Sequence, residues 1–306
     1  MSGLRESYGD VTGEYRALRN AAASVADTHD LVWVEGPDAA SFLQGILSQD
    51  IDAMAPGEVG RTFLLNPQGK LTAIMWALRG TDRVGLICDA GLGETVAERL
   101  NYYRIRVKAE VRLDDRPVWS MIGPDARAVL DIAGRWGDSE GATLAPAPVR
   151  GLDRVIVAGD PAMSDQRQAG SIAATAVRVE AGEPVMGIDV DEKTIPQETG
   201  LVPDAVSFTK GCYLGQELVA RIDSRGHVNR HLRGIVMTRN VLPPEGAEVW
   251  NDERQLGTIT SVTESLGVMA PIALSLLRRE AAPGDEVEVR WHDATTPAHV
   301  KELPLI

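Results

Sequence analysis

The chain is poor in cysteine. Only Cys88 and Cys212 occur among its 306 residues, and they form no CxxC pair. Two thiols make no disulfide framework, so a small secreted scaffold is excluded and a reducing cytoplasm fits. Aromatics are scarce, at 5%. Positive charge is also short: 31 Lys and Arg against 44 Asp and Glu leave a net charge of −13. Such a field repels phosphate backbones and weighs against direct strong nucleic-acid binding, although a local basic patch can still touch RNA. The longest near-apolar run, Leu71 to Leu78, is far too short to span a bilayer. Met1 to Asp10 is polar and shows no secretory signal. No GxSxG, P-loop or HExxH occurs, and Gly91 to Val96 lacks the glycine spacing of a dinucleotide fingerprint.

What is present suits a globular protein, with 44% hydrophobic and 25% charged residues. The length exceeds what one core usually fills, so two or three domains are expected. Apolar spacing predicts helices over Glu14 to Val25, from Asp38 to about Ser48, and over Glu94 to Tyr103, Ala126 to Ile132 and Gly170 to Val179. Strands are expected at Leu31 to Val34, Arg61 to Leu65, Leu71 to Leu78, Arg83 to Cys88, Val107 to Leu113, Val118 to Ile122 and Val155 to Ala158. Asn66-Pro67-Gln68-Gly69 has the chemistry of a tight turn between two of them. Asp138 to Pro148 reads as a loop, and Glu183 to Ser207 has no clean period. From His231 onward, short strands at Leu232 to Met237, Thr258 to Val262, Glu286 to Trp291 and Ala298 to Leu303 suggest an antiparallel barrel or sandwich. The class is α+β.

The densest chemistry lies between Lys210 and Arg233. An ammonium at Lys210 would favour the Cys212 thiolate, the reactive and metal-binding form. A buried, inert cysteine in a tight turn is the competing interpretation. Glu180 to Asp204 carries seven acids and one base, whereas Lys210 to Arg233 carries five bases and two acids. A basic strip of Arg221, Arg225, Arg230 and Arg233 would suit a carboxylate or phosphate ligand; equally, it would suit a solvated face paired with the acidic stretch. His227 and His231 lie four apart but lack a third ligand at short spacing, which weighs against a metal.

The run Lys210-Gly211-Cys212-Tyr213-Leu214-Gly215-Gln216-Glu217, followed by Val219-Ala220-Arg221 and Arg225-Gly226, resembles the KGCYxGQE…RG motif of YgfZ-type proteins. These form a branch of the glycine-cleavage T-protein superfamily. Further likenesses follow in the same order. Gly36 to Ala39 with Phe42 to Gly45 and Asp50 resembles the opening helix. Leu65 to Lys70 resembles the first hairpin. Arg178 to Pro184 with Ile195 to Glu198 resembles the LRLEAG-x-P run, and Gly257 to Ser261 a barrel motif.

The resemblance implies a multi-domain, ring-like fold around a central folate cavity, with a C-terminal antiparallel β-barrel. On it, residues 1–52 and 116–228 form a discontinuous folate-binding α+β core, 53–115 an inserted subdomain and 229–306 the barrel. It implies tetrahydrofolate as cofactor and iron–sulfur proteins or their assembly machinery as partners, including enzymes that modify tRNA. Cys212 would be the reactive or cluster-contacting group, activated by Lys210. Gly211, Tyr213, Gly215, Gln216 and Glu217 match the motif directly, and Arg221 continues it. Arg178 matches the arginine expected near the cavity. His29 lies where some relatives place an aromatic that stacks on the pterin. One departure matters: a T-protein has paired aspartates after its first hairpin turn, whereas Lys70 to Met75 here carries no carboxylate. That weakens the alternative of a folate-dependent aminomethyltransferase or demethylase. A non-enzymatic folate sensor or scaffold is the third expectation.

Overall fold

A computed structural model describes residues 5–26, 28–159, 161–252 and 254–306. Two five-stranded antiparallel sheets and a closed barrel make up the molecule. The first sheet orders β1 (Ala23–Ala26), β7 (Val118–Ile122), β10 (Arg154–Ala158), β9 (Ala142–Pro146) and β8 (Gly137–Ser139). The second orders β3 (Val59–Leu65), β4 (Leu71–Arg79), β5 (Arg83–Asp89), β2 (His29–Glu35) and β6 (Glu110–Leu113). The barrel runs β11 (Arg230–Met237), β14 (Ala270–Arg278), β13 (Arg254–Ser265), β12 (Glu248–Asn251), β15 (Glu286–Trp291) and β16 (Ala294–Lys301), and closes by pairing β16 with β11. The barrel alternative of the sequence reading is therefore the one realised.

The second sheet is buried on both faces, which is why its strands read as continuous apolar runs. Val32, Val34, Met75, Leu86 and Cys88 pack on one side with α2 (Ala39–Gln44) and α3 (Gly93–Tyr103). Leu31, Trp33, Leu78 and Ile87 face the other way and meet Val118, Ala145, Ile156 and Ala158 of the first sheet. On the far face of the first sheet the short α4 (Ala126–Val129) packs on Met121, Val155 and Val157, whereas α1 (Val11–Asn20) and α5 (Ser171–Ala181) pack on Ala23, Val25 and Ile122, on the face that Val118 shares. Val179 of α5 packs against Leu232, Ile272 and Leu274 on the outside of the barrel. The remaining helices are α6 (Val202–Ala205) and α7 (Gln216–Arg225). No helix is long and apolar enough to cross a membrane among the described residues.

Several expectations need correction. The first helix stops at Asn20, because Ala23–Ala26 pairs with β7 as a strand. Residues 138–148 are no loop: β8 and β9 form a hairpin there despite their Gly and Pro content. The domain boundary expected at residue 53 does not coincide with the sheets. β2 pairs with β5 and β6, so residues 29–35 belong with the strands expected in the inserted subdomain. The aperiodic stretch after Glu183 is ordered by side chain–backbone bonds rather than by long elements. Asp189 accepts from the Val185 amide at 3.0 Å and Asp89 from the Met186 amide at 2.9 Å, while Thr194 O accepts from the Leu71 amide at 2.9 Å.

Candidate functional site

Where the apolar contact between the two sheets ends, the same two faces continue as charge. His29 and Asp89 are cross-strand partners on β2 and β5; Arg61 and Trp76 are partners on β3 and β4. Strand alternation puts all four on the side of Leu31 and Ile87, toward the first sheet. That sheet contributes Arg154 and Ser120, and Glu183 enters from the segment after α5. Glu183 holds Arg61 bidentately, with contacts of 2.9–3.0 Å. Arg61 also lies over the Trp76 ring, 4.7 Å from its centroid. Arg154 donates Nε–H to Ala147 O at 3.0 Å, but among the described residues its terminal nitrogens reach only His29 Nε2 at 3.5 Å and Glu183 Oε1 at 4.0 Å. Yet Arg154 is 8% exposed. A guanidinium so buried normally has its donors matched.

Ionisation follows from this enclosure. Burial, helped by the Arg154 charge, pushes the His29 imidazole well below its ordinary value, so it is neutral. Burial pushes the Asp89 carboxyl up to about 6, reinforced by Glu183 and opposed by the Met186 amide, Arg154 and Arg178. Both side chains keep some accessible surface although burial dominates their titration.

The Lys210 to Glu217 run lies elsewhere, packed on the first hairpin. Gly69 takes φ +74° and closes the expected turn, its amide donating to Asn66 O at 2.9 Å. A Cβ on Gly215, at φ +76°, would sit 2.6 Å from Asn66 O, and one on Gly69 would sit 2.8 Å from Gly215 O. The two motifs need their glycines because they touch each other. Tyr213 is buried with Phe63, Leu65, Ile74 and Met186, and burial pushes its phenol up to about 12. Gln216 opens α7 and accepts weakly from the Tyr213 amide at 3.4 Å, while Glu217 and Arg221 are exposed. Gly211 is exposed with open space around it, and Cys212 is an exposed free thiol. The buried-cysteine alternative thus does not hold for Cys212; it holds for Cys88, whose thiol burial pushes well up.

Lys210 is turned away from the role expected of it. Its ammonium donates to Gln44 O, Leu47 O and Gln49 O at 2.7–2.8 Å, which matches its three N–H donors to the carbonyls trailing α2. Burial lowers its pKa to about 8, with Asp50 and Asp52 opposing. The residue is a clip between the cysteine loop and α2. Lys210→Met should cost about 2 kcal/mol, by leaving buried carbonyls unmatched; the urea midpoint measures it. No change in midpoint would refute the clip.

Arg178 is likewise engaged. It donates to Glu183 O at 2.8 Å, Asp189 Oδ2 at 2.6 Å and Ser261 Oγ at 2.7 Å, tying α5 to the barrel. The basic strip is split. Arg230 pairs with Glu198 at 2.8 Å, as the solvated-pairing alternative anticipated, and Arg233 is half-buried; the side chain of Arg225 lies outside the described residues. His227 follows α7 and His231 lies in β11, and no metal-holding cluster occurs among the described residues. Of the expected binding residues, only His29 stands in the charged cluster itself.

Residues 5–140 match the family described as the GCVT N-terminal domain, and 230–306 the glycine cleavage T-protein C-terminal barrel domain. The iron–sulfur cluster assembly factor IBA57 of mouse is 28% identical over 84% of this chain and 78% of its own. The tRNA-modifying protein YgfZ of Shigella boydii is 26% identical over 91% of both. This chain is a YgfZ-type member of the glycine-cleavage T-protein superfamily. An aminomethyltransferase of Nostoc is 25% identical over 97% of this chain and 88% of its own. The crystal structure of aminomethyltransferase T from Bartonella henselae superposes with a TM-score of 0.89 at 20% identity, over 99% of this chain and 91% of that one, which shows the shared fold.

Within this T-protein fold the strand after the first hairpin brings no carboxylate inward. Ala73 packs on the helix side, and its neighbours Thr72 and Ile74 are not acids. The carboxylates of the cluster are Asp89, one strand over on β5, and Glu183. Arg61, Trp76, Asp89 and Arg154 were not singled out from the sequence. A signal existed: a charge set in an apolar strand, on the face that should be buried.

Proposed function

We propose that this protein is a tetrahydrofolate-binding accessory factor in the assembly or maintenance of iron–sulfur proteins, including those that modify tRNA. The supporting observation is the charged interior cluster with the under-matched Arg154 guanidinium at its centre. A reduced pterin has a ring to pack and a polar edge to match, and the cluster offers an aromatic at Trp76 and open donors and acceptors at Arg154, His29 and Asp89. The residues present fit such a group. Its bound form would supply a one-carbon carrier; the chain's own part is to enclose it and match its edge. Support for the iron–sulfur role comes from the relatives named as assembly factors and as a tRNA-modifying protein.

Cys212 is the group proposed to meet the client or its cluster, because it is exposed on a loop that Lys210 and Gly215 hold rigidly. Clusters usually take about four ligands, so two cysteines hold none alone and contact is shared with the partner. A strain lacking this protein, rescued with Cys212→Ala, should lose support of its iron–sulfur enzymes while the purified variant keeps wild-type thermal stability. Full rescue would reject the role of Cys212. The carboxylate-free β4 weighs against aminomethyl transfer; turnover of a methylamine donor with tetrahydrofolate would reinstate it.

A further inference from the structure

The end of α3 and the turn that follows it carry charge that no carboxylate matches. Arg99 to Ala109 holds four bases, Arg99, Arg104, Arg106 and Lys108, and no acid, in a chain of net charge −13. Among the described residues none of the four stands in an ion pair, and the next base along, Arg112, reaches Glu35 only at 3.8 Å. Arg104 is engaged within the chain: it caps α3 and donates to Asn101 Oδ1 at 3.0 Å and Ala109 O at 2.8 Å. Arg99, Arg106 and Lys108 are exposed, as are the acids at either edge, Glu98 and Glu110.

Apolar surface stands among these cations. Tyr102 is 73% exposed and Ile105 76%. Tyr102 lies three residues after Arg99 and so shares its face of α3. Tyr103 meets Tyr102 edge-on, with centroids 5.0 Å apart, and packs on the core beneath α2 and α3. The dipole of α3 accounts for a base at Arg104, and plain solvation accounts for the other bases. Neither accounts for a tyrosine and an isoleucine left in solvent between them. Tyrosine and arginine are the residues that enrich the centres of protein interfaces.

The kind of partner follows from charge and extent. A single-stranded nucleic acid needs a basic track several nucleotides long, and beyond this patch it would meet the acidic field of the whole chain. It would also gain nothing from Ile105. An acidic protein face with an apolar centre matches both the free cations and the two exposed side chains.

The patch is also well placed. The Lys108 amide donates to Asp38 Oδ2 at 2.8 Å, and α2 begins at the next residue, Ala39. At the other end of α2, Gln44 O accepts from the Lys210 ammonium at 2.7 Å and Gly45 O from the Leu214 amide at 3.1 Å. The patch and the cysteine loop thus flank one helix of six residues, about 9 Å long. A standard interface covers about 800 Å² per partner, roughly 30 Å across. One partner can therefore cover the patch and reach Cys212.

We propose that Arg99, Tyr102, Ile105, Arg106 and Lys108 form the docking surface for an acidic face of the iron–sulfur partner. Tyr102 and Ile105 make the apolar centre, and the three free cations steer and orient the approach. The proposal rests on the iron–sulfur reading above and names the face that its partner takes.

The test uses the full chain, expressed in cells that lack the native protein. A photo-crosslinking phenylalanine analogue at position 102 should capture an iron–sulfur protein through a peptide rich in Asp and Glu. Combining it with Arg99→Glu, Arg106→Glu and Lys108→Glu should abolish that adduct. An adduct with RNA, with a second copy of this chain or with a protein that holds no cluster would overturn the proposal, and so would the absence of any adduct. Without the crosslinker, the triple variant should fail to restore iron–sulfur enzyme activity. It should keep the wild-type thermal midpoint and tetrahydrofolate affinity, because its three side chains are exposed and lie outside the charged cluster. If it fails to fold, Tyr102→Ser combined with Ile105→Ser carries the same test. Full restoration would sink the docking surface alone. If loss of the protein leaves iron–sulfur enzymes unaffected, the iron–sulfur reading falls and this surface with it.

Discussion

Glu180→Ala is expected to lower stability by about 3–5 kcal/mol, the usual cost of leaving a buried charge without its partner. Glu180 is 0% exposed. Its carboxylate accepts from Tyr15 Oη at 2.8 Å and Arg19 Nε at 2.8 Å, pairs again with Arg19 Nη2, and takes the Ser265 hydroxyl. The Glu180 carbonyl accepts from the Leu305 amide at 2.7 Å. One residue of α5 thus joins α1, the barrel and the chain's last residues. Arg19, 14% exposed, would be stranded by the alanine. Urea unfolding followed by two probes should show a lower midpoint, and the barrel's transition should separate from that of the sheets. Glu180→Gln keeps the shape and part of the bonding, and should cost less. Unchanged midpoints for Glu180→Ala would contradict this role.

Asp89→Asn is expected to act in the opposite direction. The Asp89 carboxyl titrates near 6 in the folded protein against an ordinary value of 3.8. Below about pH 4 both states hold the proton and the residue is neutral in either. Between about 4 and 6 the unfolded chain releases its proton while the folded chain keeps it, so stability falls as pH rises. Above about 6 the whole penalty is present, on the order of 3 kcal/mol for a shift of about two units. The asparagine carries no charge and can still accept from the Met186 amide. It should therefore match the wild type near pH 4 and exceed it by up to about 3 kcal/mol at pH 7.5. Equal stability at pH 7.5 would contradict the buried, destabilised carboxylate. The gain should come with weaker tetrahydrofolate binding, because Asp89 stands in the cluster proposed to hold the folate.

Legibility in the sequence follows how local each cause is. The hairpin at Asn66 to Gly69 was readable because Pro67 and Gly69 carry the turn on their own. The strands of the second sheet were readable because burial on both faces makes them apolar throughout. Residues 23–25 fall within the helical spacing that starts at Glu14, and only pairing with β7 makes them extended. The barrel's β12 and β14 carry no clear signal in sequence, although six of the nine residues of β14 are buried. At the site, a distance of two residues tied Lys210 to Cys212 on paper. In space, the Lys210 ammonium goes to carbonyls more than 160 positions away in sequence. Arg178 came from family likeness and turned out to be committed to Asp189 and Ser261. The interior cluster gathers residues from positions 29 to 183. Nothing local brings them together; the packing of one sheet on the other does.

The central claim is that this interior binds a folate. Calorimetric titration of the wild-type chain with tetrahydrofolate at pH 7.5 tests it most directly. A single saturable site is predicted, with affinity that weakens as pH drops below about 6 and Asp89 takes up its proton. No binding heat with tetrahydrofolate would contradict the claim.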